Sequence, residues 1–358
     1  MNVSDFDFDL PEGLIAQHPP AQRGGSRLLV LRRDDGIEHT AFTQLGRYLV
    51  PGDLLVVNNT RVFPARLLGR RVPSGGEVEC LLLNREPSSP ESRVPSPDSE
   101  VWVALVHPGQ KLKPGARMVF ERDGVRIDGQ IIAMHFQGRR TVRLETTHHG
   151  GLPDAIDRIG RIPLPPYIKR DDTPDDRERY QTIYARERGS IAAPTAGLHF
   201  TERQFEELAA QGVERAEVTL HVGYGTFKPV KADRVEDHIV DAERFTVSPE
   251  TAAALTRAKR ERRRIIAVGT TTVRTLESLS VAPGGDVQPG GGETHVFIHP
   301  GHRFQLVDAM VTNFHLPRSS LLMLVAALAG REKILTAYRE AVERGYRFYS
   351  YGDAMLIL

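Results

Sequence analysis

Ile191-Ala-Ala-Pro-Thr-Ala-Gly-Leu-His-Phe-Thr201 and Leu220-His-Val-Gly-Tyr-Gly-Thr-Phe-Lys-Pro-Val230 are two dense segments, and the chain between them decides the fold class. Thr201 reads as a helix N-cap, and Gln204 three residues later completes a capping box. Phe205, Leu208 and Ala209 then recur at helical spacing. Gly212 stops the helix, and Val213 to Val222 reads as a strand, alternating in part through Val218, Leu220 and Val222. The two segments therefore lie at a helix start and at a strand end. In α/β folds those are the places where loops on a rigid frame present backbone amides to a ligand. Glycines at 223 and 225 let a ligand approach the backbone, and the rings of Tyr224 and Phe227 suit a cation or a stacked base.

Upstream, Arg27 to Arg32 reads as a strand. Leu54-Leu-Val-Val57 is a continuous apolar run, the mark of a strand buried on both faces. It ends in the polar cluster Asn58-Asn-Thr-Arg61. From residue 151 onward helix and strand signals alternate. Ser248 is an N-cap with Pro249 at the first helical position. Ile265 to Val268 is a buried strand, followed by Gly269-Thr-Thr-Thr272 and a helix through Leu276. Ser319 or Ser320 caps an apolar helix that ends at Gly330. Ile334, Tyr338, Ala341 and Val342 mark the last helix, and Tyr346 to Leu358 reads as a final strand.

Residues 66 to 150 differ. Short β-like runs (76–83, 101–106, 117–120, 125–136 and 140–145) are separated by turn signals, with no helical period. That is the pattern of a small all-β barrel or sandwich. Residues 86 to 100 are Pro/Ser-rich and charged, the composition of a mobile loop. The simplest assembly is an α/β core domain, a layered sheet with helices, made of residues 1–65 and 151–358. An all-β domain at 66–150 interrupts it.

The totals narrow the function. The chain has 358 residues, enough for two cores, with 40% apolar and 26% charged residues. A net charge of +1 provides no global field for nucleic acid, so such a site must be a local basic patch. The run 257–264 is one, although a solvated helix face is its plain reading. The single Cys80 excludes a disulfide framework and a cysteine-rich zinc site. The acidic N-terminus is the wrong sign for a signal peptide, and the longest apolar run, 321–329, is too short to span a bilayer. A cytoplasmic protein with no membrane partner is expected. No Walker A sequence is present. His295 and His299 are four apart, but the residues between them are strand-like and no His-Glu-x-x-His exists, so no metal is expected. Gly269 to Arg274 suits a carboxylate or phosphate. Glu293 is the best carboxylate for proton chemistry.

These strings, with others along the chain, resemble the S-adenosylmethionine:tRNA ribosyltransferase-isomerases of queuosine biosynthesis. The matching pieces include Asp5-Phe-Asp-Phe-Asp-Leu-Pro11, Asn58-Asn-Thr-Arg-Val62, Pro163-Leu-Pro-Pro-Tyr167, Ala193-Pro-Thr-Ala-Gly-Leu-His-Phe200, His221-Val-Gly-Tyr-Gly-Thr-Phe227, Thr312-Asn-Phe-His315 and Tyr346-Arg-Phe-Tyr-Ser-Tyr-Gly-Asp-Ala-Met355. The resemblance spans nearly the whole chain; the 86–100 segment and Ser320 depart from it.

The resemblance implies an α/β core with an inserted β-barrel. It implies that the ribosyl part of S-adenosylmethionine moves to 7-aminomethyl-7-deazaguanine at the tRNA wobble position. S-adenosylmethionine is then a substrate, and no true cofactor is implied. Laid over the residues, that chemistry makes His199 and His221 the first candidates for the base, with Glu293 next. Gly269, Thr270, Thr271, Thr272 and Arg274 are candidates for the methionine carboxylate. Gly223, Tyr224, Gly225 and Phe227 are candidates for the sulfonium. Asn58, Asn59, Arg61, Asn313 and His315 are candidates for reading the extruded base or the tRNA. An RNA methyltransferase would release S-adenosylhomocysteine instead, and a plain tRNA-binding protein would leave S-adenosylmethionine intact. The sequence leaves oligomeric state open.

Overall fold

The strand Leu54–Asn58 is buried along its whole length. Leu54 and Val56 point into one apolar cluster, Leu55 and Val57 into another. Because side chains alternate across a strand, a run with no polar member needs cover on both faces. One cluster is closed by helices Pro249–Arg260, Thr270–Leu276, Ser320–Ala329 and Arg331–Glu343, the other by helix Glu202–Ala210 and the turn Phe42–Tyr48. Each Leu or Val so buried contributes on the order of 1.5–3 kcal/mol.

The structure, a computed structural model, describes residues 1–32, 36–86, 97–227 and 230–358, less the side chains of residues 137 and 227. It divides into two compact units. The first comprises Met1–Arg61, Pro165–Arg170 and Glu178–Leu358. Its sheet runs, from one edge to the other, Gly290–Thr294, Glu243–Val247, Glu214–Leu220, Leu54–Asn58, Ile265–Val268, Ala309–Asn313, Ala354–Ile357, Arg27–Arg32 and Gly36–Ala41. The four strands from Glu214–Leu220 to Ala309–Asn313 are mutually parallel. Their carboxyl ends therefore emerge on one side, where α/β sheets bind ligands.

The second unit comprises Val62–Leu164 and Asp171–Arg177. It holds a closed barrel of antiparallel strands in the order Arg139–Thr146, Ser99–His107, Glu77–Arg85, Arg66–Val72, Arg117–Arg122 and Val125–Met134. Closure leaves no free edge. Helix Gly151–Ile159 buries Leu152, Ala155, Ile156 and Ile159 in the same unit.

The helix read from Thr201 is Glu202–Ala210, with both arms of the capping box formed. Ser248 caps Pro249–Arg260, and Ser319 rather than Ser320 caps the apolar helix. Differences fall where local pattern is weak. The tail is a strand only at Ala354–Ile357; residues before it turn back through Tyr349, whose φ is 74°. Arg66–Val72 is a strand that its arginines and Gly69 disguise. The loop expected at 86–100 lies at 87–96 outside the described residues, and Ser99 already starts a barrel strand. The basic run is paired: Arg257 and Arg263 with Glu214, Arg260 with Asp286, and Arg264 with Asp53.

Candidate functional site

A cavity opens at the carboxyl ends of the parallel strands. Its lining comes from 192–196, Val222 and Thr226, Gly269–Thr271, Thr312–His315 without Phe314, Leu321, Tyr167, and Tyr349–Ser350. Ala192, Ala193, Ala196, Val222 and Leu321 make an apolar wall. Thr195, Thr226, Thr270, Thr271, Thr312, Ser350 and Tyr167 present hydroxyls. Among the described lining residues there is no carboxylate, lysine or arginine.

Asn58 clamps the strand ends beneath. It is fully buried. Its Nδ2 donates to the Leu220 carbonyl (3.0 Å) and to Thr271 Oγ1 (3.3 Å), and its Oδ1 accepts from the Leu220 and Thr60 N–H groups. Asn59 likewise serves the frame, donating to Glu217 and accepting from Thr219. Of the three residues expected to meet tRNA here, only Arg61 is exposed.

Gly269 starts the helix Thr270–Leu276 with φ 88°, a backbone region that glycine enters without penalty. This turn brings Gly269, Thr270 and Thr271 to the cavity, while Thr272 points back, its hydroxyl donating to the Val268 carbonyl (2.7 Å). Arg274 is not in the lining. Its Nη1 pairs with the Glu243 carboxylate and its Nε donates to the Val296 carbonyl (3.1 Å). Glu243 is 4% exposed, and its other oxygen accepts from the Gly223 N–H (2.9 Å) and the Thr226 hydroxyl (3.1 Å). The pair thus ties the 223–226 loop to the helix behind the cavity. Of that loop only Thr226 reaches the lining. Gly225 is closed over by Asp241, Tyr224 is outside the lining, and the Phe227 side chain lies outside the described residues.

The imidazoles separate clearly. His199 is buried behind Asn313: its Nε2 accepts from Asn313 Nδ2 (3.1 Å), so its Nδ1–H donates to Ser26 Oγ (2.9 Å), and its ring lies against Phe42. Asn313 also donates to the Tyr349 carbonyl (3.0 Å) and accepts from Thr195 (3.1 Å). His221 hydrogen-bonds Thr60 (2.9 Å) beside Gly189, where a Cβ would sit 2.7 Å from the ring; it does not line the cavity. Burial, then Arg244, pushes its pKa down, and Glu187 opposes them. His315 does line the cavity, with Nε2 3.0 Å from Thr312 Oγ1. Glu293 is exposed on the outermost strand of the sheet.

Burial pushes His199 down to about 4 and His315 down to about 3, from an ordinary 6.5. Both are neutral when folded, whereas the unfolded chain takes up protons below pH 6.5. Stability from these groups is present above pH 6.5 and is lost as pH falls toward 4 and then 3. Each adds a slope of up to about 1.4 kcal/mol per pH unit. Urea midpoints between pH 7 and 5, above the range of ordinary carboxylates, check this. His199→Gln should flatten the slope, and an unchanged slope would contradict the assignment.

Tyr167, Thr195, Thr226, Tyr349 and Ser350 belong to the lining although no role was expected of them. Tyr167 and Tyr349 meet edge to face, and the Tyr167 hydroxyl bonds Ser350 (2.5 Å). The left-handed backbone of a bulky Tyr349 is the kind of strain found at functional sites. Among the described residues no three His, Cys, Asp or Glu side chains gather as metal ligands, and no helix is long and apolar enough to cross a membrane.

The family model described as queuosine biosynthesis protein matches residues 3–357. The chain is 50% identical to a protein of Moorella thermoacetica named S-adenosylmethionine:tRNA ribosyltransferase-isomerase, with 100% of both chains covered. It is 52% identical to a protein of the same name from Anaeromyxobacter sp., covering 100% of this chain and 99% of that one. Among solved structures it is similar to an S-adenosylmethionine tRNA ribosyltransferase from Thermotoga maritima: 39% identity, a TM-score of 0.54, and coverage of 99% of this chain and 100% of the other.

Proposed function

The chain belongs to the queuosine biosynthesis protein family, and from that premise we propose that it is an S-adenosylmethionine:tRNA ribosyltransferase-isomerase. It moves the ribosyl part of S-adenosylmethionine onto the aminomethyl group of 7-aminomethyl-7-deazaguanine at the wobble position. The ribosyl group is isomerised to an epoxycyclopentanediol, adenine and methionine leave, and epoxyqueuosine-tRNA is formed. The observation that carries this reading is end-to-end identity with relatives that share one name.

The cavity supports it. The ring faces of Tyr167 and Tyr349 suit a sulfonium cation. The hydroxyls of Thr270 and Thr271 suit the methionine carboxylate or the ribose diol, and the alanine wall leaves room for a flat base. The wobble nucleotide must leave the anticodon stack to reach such a cavity. The reading assigns the reaction to the cytoplasm.

Purified protein incubated with S-adenosylmethionine and tRNA carrying the aminomethyl base is expected to yield epoxyqueuosine by nucleoside mass spectrometry, with adenine and methionine in equal amounts. S-adenosylhomocysteine in their place would mean methyl transfer. Because the sulfonium itself activates the ribose, the reading assigns no resident cofactor. Turnover is expected to persist in EDTA; loss that a divalent ion restores would overturn that part.

A further inference from the structure

We propose that His315 is the proton-carrying catalytic residue of the cavity, with Thr312 as the positioning residue that fixes its ring. The proposal rests on the reaction above and adds which group handles its protons.

The titratable side chains in the described lining are Tyr167, Tyr349 and His315. Burial raises both phenols further from neutrality. Of the three, only the imidazole, unprotonated in the folded protein, carries a basic lone pair, whereas both phenols hold their protons. Its position is built by the chain. Thr312 lies near the end of the buried strand Ala309–Asn313, and His315 follows three residues on. The His315 backbone N–H donates to the Tyr338 hydroxyl (3.1 Å), and its Nε2 stands 3.0 Å from Thr312 Oγ1. The step assigned to His315 uses the tautomer in which Nε2–H donates to Thr312; the lone pair is then on Nδ1, which has no partner among the described residues. The other two histidines of interest are differently placed. His199 has both ring nitrogens engaged, and His221 does not line the cavity. Burial also keeps His315 in its neutral form.

In the step assigned to it, a C5′–H bond of S-adenosylmethionine breaks. The electron pair stays on C5′ beside the sulfonium sulfur, and the proton moves to Nδ1. When the glycosidic bond breaks, the departing adenine takes its electron pair and receives that proton, and His315 is neutral again. Total charge in the cavity is unchanged by the first transfer, because the sulfonium becomes an ylide as the imidazole becomes a cation.

The experiment follows deuterium entering C5′ of S-adenosylmethionine in heavy water with substrate tRNA, alongside turnover and the KM for S-adenosylmethionine. His315→Gln is expected to lower exchange and turnover by about 10²–10⁴ with KM little changed. Added imidazole should restore part of the exchange in His315→Ala. Thr312→Val should lose exchange while Thr312→Ser restores most of it, which keeps the test available if a His315 variant does not fold. Exchange at the wild-type rate in His315→Gln overturns the proposal, and so does exchange unaffected by Thr312→Val. A wild-type protein that neither exchanges C5′ nor releases adenine overturns the functional reading with it.

Discussion

Glu243→Ala is expected to destabilise the protein by about 3–5 kcal/mol, the cost of leaving one member of a buried ion pair alone. Glu243 is 3% and Arg274 11% exposed at their side chains. Among the described residues, the substitution removes the only carboxylate on the Arg274 guanidinium, and the Arg274 Nη2 is already buried there without a hydrogen-bond partner. It also removes the acceptor for the Gly223 N–H and the Thr226 hydroxyl, so the loop beside the cavity loses its anchor. Glu243→Gln should cost less, because an amide oxygen can still accept from the loop. The double variant Glu243→Met/Arg274→Met should lie nearer wild type than either single one, since apolar side chains of similar volume carry no desolvation penalty. Urea denaturation with a double-mutant cycle measures this. A Glu243→Ala variant within about 1 kcal/mol of wild type would show that water reaches the pair. The same geometry changes what Arg274→Ala reports. A residue gripping a substrate carboxylate would lose ligand affinity at constant stability. With Glu243 as its partner, stability falls first and affinity follows through Thr226.

This pair shows what the sequence could and could not reveal. The helix after Thr201, the strand at 54 and the cap at Ser248 are local: each depends on residues within one or two turns, and each forms where its pattern stands. The sheet ends carrying Gly269–Thr271 and Asn313–His315 were legible for the same reason. Glu243 and Arg274 are 31 positions apart and meet only because Glu243–Val247 is added antiparallel to Glu214–Leu220. No spacing rule reports that. Likewise Asn58 read as a polar cluster at a strand end, which it is, but its amide closes onto Leu220 and Thr271 rather than facing outward. Tyr167 and Tyr349 sat in quoted motifs, the first after prolines that favour an extended segment and the second in a tail that reads as a strand. Their convergence on one cavity depends on a long-range fold.

Asn313→Ala is expected to lower turnover about 100-fold, the usual scale for misplacing groups by an ångström, and to cost about 2–4 kcal/mol of stability from the partners it strands. Asn313 is 3% exposed and joins its own strand to two other segments: it accepts from Thr195 and donates to His199 in the turn Thr195–His199, donates to the Tyr349 carbonyl, and lines the cavity itself. Without it, His199 Nε2 keeps a buried lone pair with no donor, and the strained turn at Tyr349 loses a tether. The effect of His199 then follows from its place one bond further back. His199→Gln keeps an acceptor near Nε2 and should retain turnover within about tenfold, a loss of roughly 1.4 kcal/mol in activation free energy. His199→Leu keeps bulk but no acceptor and should approach the Asn313→Ala phenotype. A positioning role predicts that order, with the two His199 variants separated. If Gln and Leu at 199 are equally inactive while the fold and S-adenosylmethionine binding stay intact, His199 moves protons itself. Asn313 would then relay them into the cavity rather than merely hold its wall.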